Sequence, residues 1–330
     1  MNRIDDTLIE SLAARFPGRM ERNFDFRTHS WWRIGGTAAA AIRPRSLLEV
    51  ADLRKVAERE KFRTLTIGEM SNLLFCDDVV DALVIRIGGQ IADFESLDRR
   101  TVRIGAGAWV PGVSRKLQSL GLAGAEHICG IPGTLGGLVM MNGGSLRRSI
   151  GENVVSVTSV DRSGELVERD REACEFAYRH SIFAELDEII VSVTLRLQPG
   201  DSQVMRRTMK DILQARRLKF PRKLPNCGSV FKSNPASYAD HGPPGAMIER
   251  AGWKGHIRGG AQVSPLHANF IVNRGGAKAD DVLSLIGEIQ ASVKDLTGHR
   301  LEPEVRYVDR DGQVWPADVA YGRVLEQGCK

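Results

Sequence analysis

Residues 129–145 read CGIPGTLGGLVMMNGGS, a stretch without a single charge in which six glycines (Gly130, Gly133, Gly136, Gly137, Gly143 and Gly144) bracket the apolar run Leu138 to Met141. Glycine opens positive φ to the backbone and lets a second backbone or a flat ligand approach where a Cβ would block it. Two readings follow. In one, successive N–H groups in the glycine turns converge on a phosphate or on the polar edge of a ring system. In the other, the stretch is a buried strand between two tight turns. A membrane-spanning helix is excluded by the glycines, Pro132 and Asn142 within the run.

At 330 residues the chain exceeds what one core usually accommodates, so more than one domain is expected. Hydrophobic residues at 42% and charged residues at 26% are ordinary globular values and exclude general disorder. The net charge of +5 comes from scattered Lys and Arg. It favours small anionic ligands over nucleic acid. Cys76, Cys129, Cys174, Cys227 and Cys329 are far apart and odd in number, which predicts neither a disulfide framework nor a metal site. The opening MNRIDDTLIESLAARF is charged and amphipathic, unlike a signal peptide, so a cytoplasmic location without a membrane span is expected.

Helical spacing of Ile4, Leu8, Ile9 and Leu12 predicts a first helix stopped at Pro17-Gly18, and Ala38 to Ile42 a strand. Between them, Trp31-Trp32-Arg33-Ile34-Gly35-Gly36 is either a pocket wall or an aromatic core corner. A helix over 47–61 and a strand Thr64 to Ile67 follow, then a turn carrying Gly68, Met70, Ser71 and Asn72 that is suited to phosphate. Val102 to Ile104 runs into Gly105-Ala106-Gly107, but the remainder of a dinucleotide fingerprint is missing, so a Rossmann domain is rejected. A helix over 110–120 precedes the glycine stretch. A hairpin turned at Arg162-Ser163-Gly164 follows it, and Tyr178-Arg179-His180-Ser181 sits between a short helix and the strand Ile189 to Leu197. Asp201 caps a long helix to about Arg217, and a domain boundary is placed here. Beyond it, Gly228-Ser229-Val230-Phe231 lacks the second glycine of a hydrolase elbow. Met247 to Ala251 reads as helical. Val282, Leu285, Ile286, Ile289 and Val293 mark a helix ended by Gly298, and Glu302-Pro303-Glu304-Val305 opens a final strand. The class is α+β.

In order along the chain, Trp32 to Gly36, Gly68 to Leu74, Gly105 to Gly107, Gly130 to Gly137 with Met141-Asn142, Tyr178 to Ser181, Gly228 to Lys232, Gly259 to Asn273 and Glu302 to Val305 resemble the motifs of the UDP-N-acetylenolpyruvoylglucosamine reductase (MurB) family. The resemblance implies an FAD-binding domain of the vanillyl-alcohol-oxidase (PCMH) type in two subdomains, residues 1–62 and 63–200. A substrate-binding domain at 201–301 and a C-terminal strand and tail at 302–330 complete the chain. The short spacing after Arg179 resembles the second type of the family, which lacks a tyrosine-bearing loop. Three departures stand out: Met70 where glycine is usual, Ser145-Leu146 in place of a tyrosine-containing arrangement, and an additional residue between Lys232 and Asn234.

The family's chemistry is reduction of UDP-N-acetylglucosamine enolpyruvate by NADPH through FAD. By resemblance, Ser229 supplies a proton, and Arg179 with Glu304 holds the enolpyruvyl carboxylate. Arg33, Gly68, Ser71, Asn72, Gly130, Ile131, Pro132, Gly133, Thr134, Gly136 and Asn142 contact FAD, and Tyr178, Lys232, Asn234 and Gln262 the UDP-sugar. No metal or obligate protein partner is implied. Met70 is expected to hold a backbone conformation glycine would adopt, with its side chain turned into apolar neighbours. Two alternatives are a paralogous flavin oxidoreductase acting on another nucleotide sugar, and a non-catalytic flavin-binding module.

Overall fold

The computed structural model describes residues 2, 4–233 and 240–328, with the side chains of 324–328 excepted. The chain forms two compact units, one from residues 1–22, 40–69 and 82–216 and the other from 23–39, 70–81 and 217–330.

In the first unit the helix Asp6–Arg15 is capped by the Asp5 carboxylate, which accepts from the Leu8 N–H at 2.8 Å. The strand Leu83–Arg86 runs parallel to Thr64–Ile67, in register from Thr64↔Leu83 to Ile67↔Arg86. It also runs parallel to the end of Thr37–Ile42 through Ala41↔Val84 and Ile42↔Ile85. Parallel strands need a crossover. The helix Leu47–Glu60, opened by the Ser46 hydroxyl and closed by Lys61 at φ 55°, carries the chain from Thr37–Ile42 to Thr64–Ile67, which lie on either side of Leu83–Arg86. A second sheet is antiparallel, in the order Leu166–Asp170, Val154–Val160, Ile189–Arg196, Thr101–Gly105, Phe94–Ser96. Its hairpin turns through Gly164 at φ 82°. Asp201 accepts from the N–H groups of Gln203 and Val204 and so starts the long helix Ser202–Lys219.

Two local expectations are corrected here. The apolar run belongs to the helix Leu135–Met140, with Met141 as its C-cap, and not to a buried strand. Leu135, Leu138 and Val139 bury one helical face, and the Thr134 hydroxyl caps the first turn by accepting from the Gly137 N–H. Four apolar residues and two glycines fit either period, and only the cap and the packing separate them. No helix directly precedes Tyr178; residues 171–175 form turns, and the short 3-10 helix Ile182–Ala184 comes afterwards.

The second unit packs the helix Ala279–Thr297, ended by Gly298 at φ 71°, on a core that includes Trp32, Leu74, Val230, Phe231, Met247, Val263 and Ile271. Three short antiparallel strands, Ile257–Arg258, Ala261–Val263 and Ile271–Asn273, form one sheet. In the other, Arg306–Val308 lies parallel to Leu73–Phe75 and antiparallel to Val314–Pro316. The strand expected to close the chain starts at Arg306 and is followed by this further strand and the helix Ala317–Gly328. No described helix is long and apolar enough to cross a membrane.

Candidate active site

The glycines of the opening stretch have separate reasons to be glycine. A Cβ on Gly136 would lie 3.0 Å from the Ala106 Cβ, and one on Gly144 would lie 1.9 Å from the Arg148 carbonyl oxygen, so these two are required by internal packing. Gly130 is crossed by Arg216, whose Cδ would be 2.6 Å from an added Cβ. Gly133 is fixed by its φ of 141°. Gly137 differs. It is exposed, and an added Cβ would meet only the Thr134 hydroxyl at 3.4 Å. Gly68 is brought to the same hydroxyl, with a Cβ position 2.4 Å from it. Gly68, Gly133, Thr134 and Gly137 thus form a patch of bare backbone around one hydroxyl. The Gly105-Ala106-Gly107 turn is structural: Ala106 and Ala108 accept from Gly136 and Leu135, and Gly107 has no room for a Cβ beside the Gly88 carbonyl.

Asn142 is buried at φ 41°, and its side chain turns inward. Its Nδ2 donates to the Ala177 carbonyl at 2.7 Å, and its Oδ1 accepts from the Gly151 N–H at 3.0 Å. That bond to Ala177 braces a tight turn in which Ala177 and His180 exchange backbone hydrogen bonds at 3.1 and 3.2 Å, leaving Tyr178 and Arg179 at the tip. Ser181 donates to the Met140 carbonyl at 2.8 Å and anchors the turn to the helix Leu135–Met140. Arg179 sits at φ 55° with an Nη2 donating to the Gly144 carbonyl at 3.0 Å and its guanidinium 5.2 Å from the Tyr178 ring centre. A non-glycine residue at positive φ is strained, and such strain persists where the surroundings hold it in place. The turn after Gly144 is strained as well, with Leu146 and Arg147 at φ 56° and 61°, and the Ser145 hydroxyl donating to the His127 carbonyl.

In the second unit the two tryptophans part: Trp32 is fully buried and Trp31 is 39% exposed. Trp32 is therefore a core corner, its Nε1 donating to the Ile271 carbonyl at 2.7 Å. Arg33 follows, exposed and at φ 53°. Met70 takes φ 54° and is 3% exposed, as expected for a side chain at a position where glycine is usual. Next to it, the Asn72 amide donates to the Glu304 carbonyl at 2.9 Å, while the Asn72 carbonyl accepts from the Arg306 N–H at 3.1 Å.

Glu304 is held from the other side by its N–H, which donates to the Val230 carbonyl at 2.7 Å. Lys232 N–H donates to the Glu302 carbonyl at 2.8 Å, and Phe231 and Pro303 form an antiparallel bridge. Ser229, Lys232 and Glu304 are thereby gathered on two paired segments tied to the Ser71-Asn72 turn. The Lys232 Nζ lies 3.4 Å from the Glu302 carboxylate. Gln262 is outside this cluster, on the strand Ala261–Val263, with its Nε2 donating to the Gly255 carbonyl at 2.9 Å. Asn234 lies outside the described residues. Sequence reasoning gave no role to Asn269 and Asn273, both buried, which bond to the segments carrying Ser229 and Arg33. A signal was present, since both asparagines lie in HANFIVN, whose other residues are mainly apolar.

Residues 38–170 match the model of an FAD binding domain, and residues 220–308 match that of the UDP-N-acetylenolpyruvoylglucosamine reductase C-terminal domain. UDP-N-acetylenolpyruvoylglucosamine reductase 1 of Corynebacterium glutamicum is 39% identical over 315 residues, covering 96% of this chain and 94% of the relative. The reductase of Heliobacterium modesticaldum is also 39% identical, over 92% of this chain and 95% of its own. The crystal structure of the Thermus caldophilus enzyme (MurB) matches with a TM-score of 0.73 at 28% identity, covering 90% of this chain and 99% of that one. Similarity at this level runs through both units, and the chain belongs to the UDP-N-acetylenolpyruvoylglucosamine reductase family.

Proposed function

We propose that the protein reduces the enolpyruvyl group of UDP-N-acetylglucosamine enolpyruvate to give UDP-N-acetylmuramate for peptidoglycan precursor synthesis, with FAD as its cofactor and NADPH as the electron source. On this reading it works in the cytoplasm without an obligate protein partner. Residues 1–62 and 63–200 serve the flavin, and 201–301 with the strand and tail 302–330 serve the substrate. The observation that carries the reading is the pairing of 230–232 with 302–304, which gathers a serine, a lysine and a glutamate on segments bonded to Asn72.

The residues present fit FAD. Gly137 is exposed without an internal packing reason to be glycine, and with Gly68, Gly133 and Thr134 it leaves bare backbone that a flat ring or a phosphate can approach. Arg33, Ser71, Asn72 and the run Gly130 to Thr134 with Gly136 would hold the cofactor. Asn142 serves it by bracing the turn below Arg179. Bound FAD would supply the hydride chemistry, accepting from NADPH and donating to the enol ether.

Hydride addition beside a carboxylate builds negative charge next to an existing anion. Arg179 answers this with a permanently cationic planar fork oriented by Gly144, and Glu304 adds a donor to the same carboxylate only in its protonated form. Ser229 then delivers a proton to the adjacent carbon. Tyr178, Lys232, Asn234 and Gln262 contact the UDP-sugar, Lys232 as a point charge near phosphate. The Met70 departure does not favour another nucleotide sugar, because Met70 keeps the positive φ that glycine would take.

The purified protein is expected to be yellow and to bleach on addition of NADPH. In Ser229→Ala, flavin reduction stays near the wild-type rate, while reoxidation by the enolpyruvyl sugar slows about 10²- to 10⁴-fold, the usual loss for a positioned acid. Stopped-flow reoxidation within a few-fold of wild type sinks the serine assignment. A colourless protein that added FAD cannot reconstitute sinks the whole reading.

A further inference from the structure

Asn269 precedes the strand Ile271–Asn273 and Asn273 ends it, and they are 5% and 6% exposed. A buried amide costs free energy unless it is hydrogen-bonded, and both of these make several bonds. The Asn269 Oδ1 accepts from the Phe231 N–H at 2.9 Å, its Nδ2 donates to the Phe231 carbonyl at 3.0 Å, and its own carbonyl accepts from the Val230 N–H at 2.9 Å. All three bonds fall on the two residues that follow Ser229. The Asn273 Nδ2 donates to the carbonyls of Trp32 at 2.9 Å and Arg33 at 3.3 Å, while its Oδ1 accepts from the N–H groups of Gly275 at 2.8 Å and Ala277 at 3.3 Å. Arg33 is one of the strained left-handed residues, at φ 53°. The Asn273 amide therefore holds the carbonyl of that strained residue and the one before it.

We propose that these two asparagines are positioning residues with separate clients: Asn269 fixes the segment that aims Ser229 at the substrate, and Asn273 fixes the turn that presents Arg33 to the flavin. An apolar side chain of equal volume would pack at either place, but it would leave several backbone groups without these partners. The pattern thus serves placement more than burial. The inference rests on the proposed roles of Ser229 and Arg33.

The test uses the full-length FAD-loaded protein and the variants Asn269→Ala, Asn269→Asp, Asn273→Ala and Asn273→Asp. For each, three quantities are measured: the single-turnover rate of flavin reoxidation by the enolpyruvyl sugar, the FAD dissociation constant from visible absorbance, and the urea midpoint. Asn269→Ala is expected to slow reoxidation about 10- to 100-fold, with FAD affinity within about threefold of wild type. Asn269→Asp keeps an acceptor for the Phe231 N–H but loses the donor, and is expected to fall between wild type and alanine. Asn273→Ala is expected to weaken FAD binding about 10-fold or more, while reoxidation of the FAD-saturated protein stays within about threefold. Where an alanine variant does not fold, the aspartate variant decides by the same split. If both positions lower both quantities in step with the urea midpoint, the asparagines are structural only and the proposal is overturned. Slow reoxidation in Ser229→Ala beside wild-type reoxidation in the Asn269 variants refutes the positioning role and leaves the serine assignment standing. Wild-type reoxidation in Ser229→Ala removes the serine assignment and the inference together.

Discussion

Met70 offers a clean measurement of backbone strain, because alanine and glycine at this position lose the same packing but differ in tolerance of φ. The residue is 3% exposed at φ 54°, and the carbonyls of Met70 and Leu73 lie 3.7 and 3.6 Å from the Cys227 sulfur. Truncating a buried methionine costs about 2–5 kcal/mol. Left-handed backbone costs a residue with a Cβ about 1–2 kcal/mol. Glycine escapes that term but returns about 0.5–1 kcal/mol through its greater freedom in the unfolded chain. Both variants should therefore be less stable than wild type, with Met70→Gly more stable than Met70→Ala by about 1 kcal/mol. At an ordinary φ the order would be reversed. Urea unfolding of the three FAD-loaded proteins, followed by flavin absorbance and by circular dichroism, gives the comparison. FAD affinity in Met70→Gly should stay within about threefold of wild type, since Ser71 and Asn72 keep their backbone course. An alanine variant as stable as the glycine variant, or more so, would refute the strain argument.

Arg179→Lys keeps the charge but loses the planar fork and the fixed bond to Gly144, so reoxidation by substrate should slow by about 10-fold or more while NADPH still bleaches the flavin; unchanged turnover would make the arginine structural. His127 is 3% exposed, and burial, with Arg148 as the next cause, pushes its pKa from 6.5 down to about 4. The unfolded chain therefore takes up this proton at a higher pH than the folded one. The stability contributed by neutral His127 is fully present above pH 6.5 and is lost as pH falls towards 4, by about 3 kcal/mol in all. His127→Leu should flatten urea midpoints across that window; a variant that loses stability as steeply as wild type would exclude His127 as the source.

Local chemistry made much of the chain legible. Asp5, Ser46 and Asp201 cap helices whose apolar spacing was visible, Gly298 ends the helix Ala279–Thr297, and Gly164 turns the hairpin. These features depend on residues within a few positions of one another, so propensity and capping determine them wherever the segment packs. The glycine stretch likewise announced bare backbone, and the order of the motifs announced the family. Tertiary structure had to choose between helix and strand for Leu135–Met140, because a six-residue stretch of four apolar residues and two glycines satisfies either period. It also chose the partners of the amides. Asn72 bonds to Glu304, Asn142 to Ala177 and Gly151, and Asn273 to Trp32 and Arg33, up to 241 positions away in sequence. An asparagine carries two donors and an acceptor whether it faces a ligand or a backbone, and only the folded chain determines which groups come within about 3 Å of it.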